Sequence, residues 1–260
     1  MTPRLFDLTG RVALVTGAGS SSGIGLATAR LLGELGASVA IGATTDRAEE
    51  RAEELRSAGI DASGFAADLT DERQVADLVE RVVARHGDIG IVVNNAGMVS
   101  VTSPGESGGL SEMSLRTWHE GLARNLDTAF LVSRATVPAM AARGWGRIVN
   151  VTSVTGPVMA MQNEVAYAAA KAGMVGLARS IAVDFGPMGV TANAVAPGWI
   201  ATGSQTAHEA FQGEATPVGR SATADEVAAA IAWLCTPGAA YVTGQCLVVD
   251  GGNSVAEERH

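Results

Sequence analysis

Tyr167 and Lys171, in the segment YAAAK, are the residues of this sequence whose types and spacing most directly suggest chemistry. Lys171 is the only lysine among 18 basic residues. Side chains four positions apart share one face of a helix. An ammonium beside a phenol favours the phenolate and lowers the tyrosine pKa from about 10. The pair therefore predicts a general acid–base group; the alternative is a surface tyrosine near a solvated lysine.

The elements that must position this pair follow a regular order along the chain. Apolar segments, from RVALVTG to CLVVDGG, alternate with segments of helical periodicity. Apolar strands separated by helices predict a parallel sheet covered on both faces. We expect an α/β doubly wound Rossmann fold with seven parallel strands. Residues 1–260 are expected to form one domain, with a substrate-binding loop region at 198–217 and a polar tail at 253–260.

Four local predictions bear on the site. One long helix is expected from about Leu115 to Arg143, and a second from about Glu164 to Phe185 carries YAAAK. The helix after the second strand should be capped by Thr45 or Asp46, with Glu49 in its first turn. A loop is expected between Gly198 and Pro217, and it would contain His208, the one histidine in a plausible loop.

Distinctive residues follow the ends of the predicted strands. Ligands of doubly wound sheets bind beyond the carboxyl ends of the strands, so these residues should gather along one edge. They are Gly17–Gly25, Ala43–Arg47, Asp68, Asn94–Gly97, Ser153 and Pro197–Gly198.

The glycine-rich segment TGAGSSSGIG joins the first strand to the first helix. Such a turn lets the backbone approach a pyrophosphate at a helix N-terminus, although it can also be only a tight turn. The same segment contains Gly19–Gly23, which matches the nucleophile elbow G-x-S-x-G. We reject the hydrolase interpretation because several strands precede the nucleophile in that fold, whereas only one precedes it here.

The end of the second strand bears on the choice of cofactor. A carboxylate that would hold the ribose 2′-hydroxyl of NAD is expected at Ala43, where none is present. Thr44, Thr45 and Arg47 suit a 2′-phosphate, which favours NADP(H) over NAD(H). Asp46 leaves the alternative open, since its carboxylate could bind a 2′-hydroxyl.

Composition excludes several classes of function. The net charge is −9 and the sequence pI is about 4.9, which argues against nucleic acid and anionic membranes as partners. Cys235 and Cys246 have neither metal-ligand spacing nor a disulfide pattern, so we expect no metal and a reducing, cytoplasmic location. Neither a signal peptide nor an apolar run of about 18 residues is found.

These features together resemble the short-chain dehydrogenase/reductase family over nearly the whole chain, most closely its 3-oxoacyl-(acyl carrier protein) reductase type and related ketoreductases. The motifs that carry the resemblance are TGAGSSSGIG, Asp68–Leu69, NNAG at 94–97, Asn125 in RNLDTAF, Ser153 in NVTSVTG, YAAAK, PGWIAT at 197–202 and the terminal VVDGG.

The resemblance implies a role for each catalytic candidate. Tyr167 exchanges the proton with the carbonyl or alcohol oxygen, and Ser153 holds that oxygen. Lys171 lowers the tyrosine pKa and hydrogen-bonds the nicotinamide ribose, while Asn125 supports a proton-relaying water. Asp68 would contact the adenine.

The complete set of predicted cofactor contacts combines the strand-end residues with those of the family pattern. It comprises Gly17, Ser20, Ser22, Gly23, Ile24, Thr44, Thr45, Arg47, Asp68, Leu69, Asn95, Ala96, Gly97, Tyr167, Lys171, Pro197, Gly198, Ile200 and Thr202.

Two features depart from the family pattern. Five residues rather than three separate Gly17 from Gly23, which leaves the phosphate contacts among the three serines between them open. Ser153 lies 14 residues before Tyr167, where 13 is common, so we expect a reshaped substrate wall. The other candidate walls are the loop after Gly97 and the segment Trp199–Pro217, which includes Phe211.

The main functional hypothesis is an NADP(H)-dependent reductase of ketones to secondary alcohols, with 3-oxoacyl thioesters as one candidate substrate. An NAD-dependent alcohol or polyol dehydrogenase is the enzymatic alternative, and a non-catalytic dinucleotide-binding protein is the alternative from another class. The resemblance also implies a homotetramer or dimer, with the YAAAK helix and the last strand near subunit contacts.

Overall fold

A single parallel sheet organises the computed structural model, which describes residues 2–97 and 108–258. Its seven strands run in the order β3-β2-β1-β4-β5-β6-β7, and all neighbours are parallel. The strands are β1 (Val12–Thr16), β2 (Ser38–Ala43), β3 (Ala62–Ala66), β4 (Ile89–Asn94), β5 (Gly146–Val151), β6 (Val190–Pro197) and β7 (Cys246–Val249). The predicted α/β doubly wound Rossmann fold is confirmed.

Helices cover both faces of this sheet. They are α1 (Ile24–Glu34), α2 (Arg47–Ser57), α3 (Glu72–His86), α4 (Leu115–Leu122), α5 (Thr128–Ala142), α6 (Val165–Phe185), α7 (Ala207–Glu214) and α8 (Ala224–Cys235). Side chains alternate between the faces along β1: Ala13 and Val15 join the core with α1 and α8, whereas Val12 and Leu14 join the core with α3, α5 and α6. The result is a fully buried strand, as the continuous apolar run predicts.

The long helix expected from Leu115 to Arg143 is present, but it is not an α-helix throughout. Five residues, Ala123–Asp127, form a π turn between α4 and α5, and α5 ends at Ala142. Such turns are rare and occur frequently at functional sites. The periodicity of the sequence predicts the extent of the helix but does not mark this turn.

The loop expected between Gly198 and Pro217 contains α7. Thr206 and Glu209 form a capping box at its start, because the Thr206 side chain accepts from the Glu209 backbone N–H and the Glu209 carboxylate accepts from the Thr206 backbone N–H. The T-x-x-E pattern is a helix-start signal that could have predicted this helix. His208 therefore lies in a helix and not in a loop.

The expected side-chain cap of α2 is also wrong. Asp46 occupies the capping position but its side chain makes no capping hydrogen bond, and Thr45 Oγ1 accepts instead from Arg47 Nε at 3.2 Å. Glu49 does lie in the first turn, where its carboxylate accepts from the Gly64 backbone N–H at 3.0 Å. That bond ties α2 to β3.

Two further properties of the described residues bear on other classes of function. None of the helices there combines the length and the apolarity needed to cross a membrane. Within the same residues, no group of three or more His, Cys, Asp or Glu side chains is arranged to hold a metal ion.

Candidate active site

Ser153, Tyr167 and Lys171 meet where β5 ends and α6 begins. Ser153 follows β5 by two residues, and the other two lie in the first turns of α6. The Ser153 hydroxyl lies close enough to the Tyr167 phenol to lower its pKa, and Lys171 Nζ lies 5.6 Å from the centroid of the tyrosine ring. The structure therefore brings together three of the four predicted catalytic side chains.

Lys171 is buried, with 2 % of its surface exposed. Its Nζ donates to the Val151 carbonyl at 3.0 Å and contacts Met174 Sδ at 3.7 Å. Burial penalises the ammonium and lowers the pKa of Lys171 to about 8. A lysine with this pKa holds and releases a proton near physiological pH, which an arginine cannot do.

Burial also raises the pKa of Tyr167, and the carboxylates of Glu164 and Glu209 raise it further, whereas the hydrogen bond from Ser153 opposes them. The expectation that Lys171 lowers the Tyr167 pKa is wrong for this structure. The reason is geometric: Nζ lies over the ring and bonds the Val151 carbonyl, and desolvation of the phenolate is the largest effect. Tyr167 is thus a neutral phenol at pH 7 and has a proton to donate.

Side chains in β5 and just after it hold α6 in register. Thr152 Oγ1 donates to the Lys171 carbonyl at 2.7 Å, and Asn150 Nδ2 donates to the Met174 carbonyl at 2.9 Å. Both side chains are buried, so water does not compete for these two hydrogen bonds. Thr152, a neighbour of the predicted catalytic Ser153, therefore positions the helix.

The fourth predicted catalytic residue, Asn125, lies in the π turn and is 2 % exposed. Its Nδ2 donates to the Gly121 carbonyl at 3.2 Å, while its buried Oδ1 has no hydrogen-bond partner among the described residues. A Cβ on Gly97, which has φ of +120°, would lie 2.8 Å from that oxygen. A buried acceptor such as this Oδ1, which has no partner in the part of the protein that the structure describes, can accept a hydrogen bond from a bound water or a ligand.

The glycine turn lies against the end of β4. Gly17 has φ of +66°, and a Cβ there would lie 2.6 Å from Ala96 Cα. Asn95 Nδ2 donates to the carbonyls of Thr16 and Gly17, both at 3.0 Å, and a Cβ on Gly25 would lie 2.6 Å from the same nitrogen. Close backbone approach, which only glycine permits, therefore shapes this turn.

The N-terminus of α1 is open to an anion. Gly23 stands at the capping position without a side-chain cap, and the first turn has no acidic residue. Its free N–H groups and the helix dipole fit the pyrophosphate of a dinucleotide. Ser20 Oγ accepts weakly from the Ser22 N–H at 3.5 Å, and Ser22 Oγ accepts from the Gly203 N–H at 3.0 Å, so Ser22 connects this turn to the segment after β6.

Thr44, Thr45 and Arg47 are exposed at the end of β2. They lie beside the glycine turn, since a Cβ on Gly19 would be 3.0 Å from Ala43 Cβ and 3.6 Å from Arg47 Cβ. Asp46 is exposed in the same place. The residues that would bind the 2′-phosphate of NADP and the carboxylate that would bind the 2′-hydroxyl of NAD are therefore both accessible at the end of β2.

The remaining predicted cofactor residues also lie at strand ends. Asp68 follows β3, and its Oδ1 accepts from the Thr70 N–H and hydroxyl at 2.9 and 2.7 Å; Leu69 beside it is buried. Pro197 ends β6 and its carbonyl accepts from the Val154 N–H at 3.0 Å, which joins this segment to the Ser153 region.

The segment after Pro197 is fixed by its neighbours. Gly198 lies so close to Asp250 that a Cβ would be 2.7 Å from the aspartate Cβ. Ile200 pairs with Ala222 in an isolated bridge, and Thr202 Oγ1 lies 3.0 Å from Ser204 Oγ. Part of the predicted wall after Gly97, residues 98–107, lies outside the described residues.

This sheet edge, with its glycine turn and its Ser–Tyr–Lys group, defines an oxidoreductase that uses a nicotinamide dinucleotide. A family model described as enoyl-(acyl carrier protein) reductase matches residues 17–254. The chain belongs to the short-chain dehydrogenase/reductase family, which confirms the resemblance found in its motifs.

Three similar proteins illustrate the range of this family. The cis-4-hydroxycyclohexanecarboxylate dehydrogenase of Sinomonas cyclohexanicum is 42 % identical over 93 % of this chain and 96 % of its own length. The 3-oxoacyl-[acyl-carrier-protein] reductase FabG of Pseudomonas aeruginosa is 40 % identical over 95 % of this chain and 98 % of its own length. A crystal structure of a provisionally assigned gluconate dehydrogenase from Agrobacterium tumefaciens superposes on this structure with a TM-score of 0.89. The two sequences are 31 % identical, and the superposition covers 98 % of this chain and 100 % of the other.

Proposed function

We propose that this protein is an NADP(H)-dependent oxidoreductase that interconverts a ketone and a secondary alcohol, with Tyr167 as the proton donor in reduction. The observation that carries the proposal is the Ser153–Tyr167–Lys171 group beside a glycine turn whose helix is open to a pyrophosphate. A bound dinucleotide supplies or accepts the hydride.

The side chains divide the remaining work. The Ser153 hydroxyl holds the substrate oxygen next to the phenol, and Tyr167, neutral at pH 7, gives it a proton as the alkoxide forms. Lys171, with its pKa of about 8, returns a proton to the tyrosine. Asn125, whose Oδ1 is open, holds the water that connects Lys171 to solvent.

The cofactor preference rests on the corner after β2. Thr44, Thr45 and Arg47 offer hydroxyls and a guanidinium to a 2′-phosphate, and Ala43 offers no carboxylate to a 2′-hydroxyl. Asp68 would contact the adenine, and residues 95–97 and 197–202 would line the nicotinamide half.

The second candidate is an NAD-dependent alcohol or polyol dehydrogenase. The exposed Asp46 favours it, since a carboxylate there could accept from both ribose hydroxyls. Two of the similar proteins are described as dehydrogenases and one as a 3-oxoacyl reductase. Their names therefore do not indicate whether this protein oxidises an alcohol or reduces a ketone. A non-catalytic binder would have little use for the open Asn125 and the buried Lys171.

The wider proposal covers organisation and location. We propose one domain over 1–260, a substrate region at 198–217, a polar tail at 253–260, and a cytoplasmic homotetramer or dimer acting on a small carbonyl or alcohol compound. The acidic charge of −9 speaks against nucleic acid and membrane surfaces as partners.

The test is a fluorescence titration of the protein with NADPH and NADH, repeated with Arg47→Ala. Arg51→Ala is the matched control, because Arg51 lies one turn further along α2 and pairs with Glu54 at 2.7 Å. We expect NADPH to bind more tightly, and Arg47→Ala to weaken NADPH about tenfold while NADH is unaffected. Tighter NADH binding would refute the NADP preference and support Asp46 on the ribose.

Turnover is tested with Tyr167→Phe. This variant should bind the dinucleotide like the unaltered protein and reduce ketones at least about a hundredfold more slowly, since it has no proton to give. Unchanged turnover would refute the assigned mechanism.

A further inference from the structure

One side chain joins the glycine turn to the segment after β6. Ser22 Oγ accepts from the Gly203 backbone N–H at 3.0 Å, a bond between residues 181 positions apart in the chain. Ser22 belongs to the lengthened turn between Gly17 and Gly23, and Gly203 belongs to the proposed substrate region at 198–217. The bond therefore connects the turn that would hold the dinucleotide phosphates with the segment that would hold the substrate.

The lack of a side chain at Gly203 is explained by this contact. A Cβ there would lie 2.7 Å from Ser22 Oγ, and among the described residues outside its chain neighbours the only other atom within 4 Å is Ser22 Cβ. The backbone of Gly203 does not have the positive φ that favours glycine. Glycine at this position thus permits the close approach of Ser22 and is not needed for the conformation of its own backbone.

Other hydrogen bonds attach the same segment to the residues before α8. The Ala201 N–H donates to the Ala222 carbonyl at 2.8 Å, and Gln205 Nε2 donates to Ser221 Oγ at 2.7 Å. Neither bond reaches α1 or the turn before it. Ser22 therefore supplies a connection that these two bonds do not.

A cavity lies between the segment and α1. Its volume is about 220 Å³, and it is lined by residues of the glycine turn and α1, by Ala201 and by residues 223–225 around the start of α8. Surfaces that face each other across an open space lack the contact atoms that packing requires. The hydrogen bond from Gly203 to Ser22 therefore holds the segment to the turn where packing does not.

We infer that Ser22 is a positioning residue that couples dinucleotide binding to the placement of the segment 198–217. The inference rests on the proposed dinucleotide-dependent function. A serine hydroxyl has one proton and two lone pairs, so Ser22 can accept from Gly203 and still donate to a phosphate oxygen. Hydrogen bonds in a chain polarise one another, so a phosphate at the turn strengthens the bond to Gly203. The segment is then held beside the nicotinamide, which Thr202 would contact.

The experiment compares a whole dinucleotide with the fragment that lacks its nicotinamide. The dissociation constants of NADPH and 2′-phospho-ADP-ribose are measured by calorimetry with the full-length protein, and that of the fragment is divided by that of NADPH. If NADH binds more tightly, NADH and ADP-ribose are used instead. Both ligands of a pair carry the pyrophosphate, so a direct contact of Ser22 with a phosphate cancels in the ratio.

Ser22→Ala should lower this ratio about fivefold, which is the effect of one hydrogen bond of average strength. The segment then loses its connection to the turn, and only the ligand with a nicotinamide needs the segment in place. Ser21→Ala is the matched control, because it removes the neighbouring hydroxyl of the same turn. It should change both dissociation constants by the same factor and leave the ratio unaltered.

A double variant identifies the contact responsible. Gly203→Ala should lower the ratio as well, because its Cβ would collide with Ser22 Oγ and break the bond. In Ser22→Ala/Gly203→Ala the colliding oxygen is absent, so the ratio should fall no further than in Ser22→Ala alone. Two unconnected structural defects would instead multiply.

The possible failures are distinguishable. An unchanged ratio in Ser22→Ala, or an equal fall in Ser21→Ala, would overturn the inference while the proposed oxidoreductase function stands. Effects that multiply in the double variant would overturn the Ser22–Gly203 contact as the cause. Binding of neither NADPH nor NADH to the unaltered protein would overturn both the inference and the proposed function.

Discussion

Replacing Lys171 with methionine should inactivate the protein and at the same time make its ligand-free form more stable. The buried ammonium lowers the Lys171 pKa from 10.5 to about 8, and desolvation is the cause. Since one pKa unit corresponds to about 1.4 kcal/mol, the charged lysine costs the folded state about 3 kcal/mol. Loss of the Nζ bond to Val151 offsets about 1 kcal/mol of the gain. A net stabilisation of about 2 kcal/mol remains at pH 7.

The dependence on pH follows from proton linkage. Between pH 8 and 10.5 the unfolded chain keeps the Lys171 proton that the folded protein has lost, so the stability of the unaltered protein rises with pH across this window. The cost of Lys171 is complete below pH 8 and disappears near 10.5. The advantage of Lys171→Met should therefore be largest at pH 7 and shrink towards pH 10.

Urea unfolding of the ligand-free proteins at pH 7 and pH 10, at one protomer concentration, measures the difference. Lys171→Arg is the control, because arginine stays charged at both values and should be less stable than the unaltered protein at each. The reasoning is refuted if Lys171→Met is no more stable than the unaltered protein at pH 7, or if its advantage is equally large at pH 10.

Two further substitutions test the architecture of the site. Gly17→Ala should weaken dinucleotide binding at least about tenfold and destabilise the protein by more than about 1 kcal/mol, because φ is +66° and the new Cβ would meet Ala96; titration and thermal melting would check this, and normal affinity would contradict it. Asn150→Ala should cost about 3 kcal/mol, since it removes the buried bonds to Asn94 Nδ2 and to the Met174 carbonyl and leaves a cavity. A loss below about 1 kcal/mol in urea unfolding would show that these bonds do not hold α6 to β5.

Local patterns made much of the site predictable. The strand ends that precede Ser153 and Asp68 could be located from the sequence, because the hydrophobic periodicity of a strand or a helix is a property of neighbouring residues. Gly17 marked a position that needs a positive φ, which is a property of its own backbone. The parallel sheet then required that these ends share one edge, and the structure has them there.

Other features depended on residues far apart in the chain. The π turn at Asn125 is not visible in the helical periodicity, and the bond between Ser22 and Gly203 joins residues 181 positions apart. Helix α7 is an exception, since its capping box is local to the segment for which a loop is predicted.

The sequence by itself determined which groups could do chemistry, and the tertiary structure decided their protonation. Four-residue spacing placed Tyr167 and Lys171 on one helix face, but not the direction of the pKa shift of Tyr167. That direction depends mainly on burial, which exists only once the chain has folded, and the carboxylates of Glu164 and Glu209 add to it. Desolvation and long-range charge are properties of the assembled fold and leave no mark on local spacing.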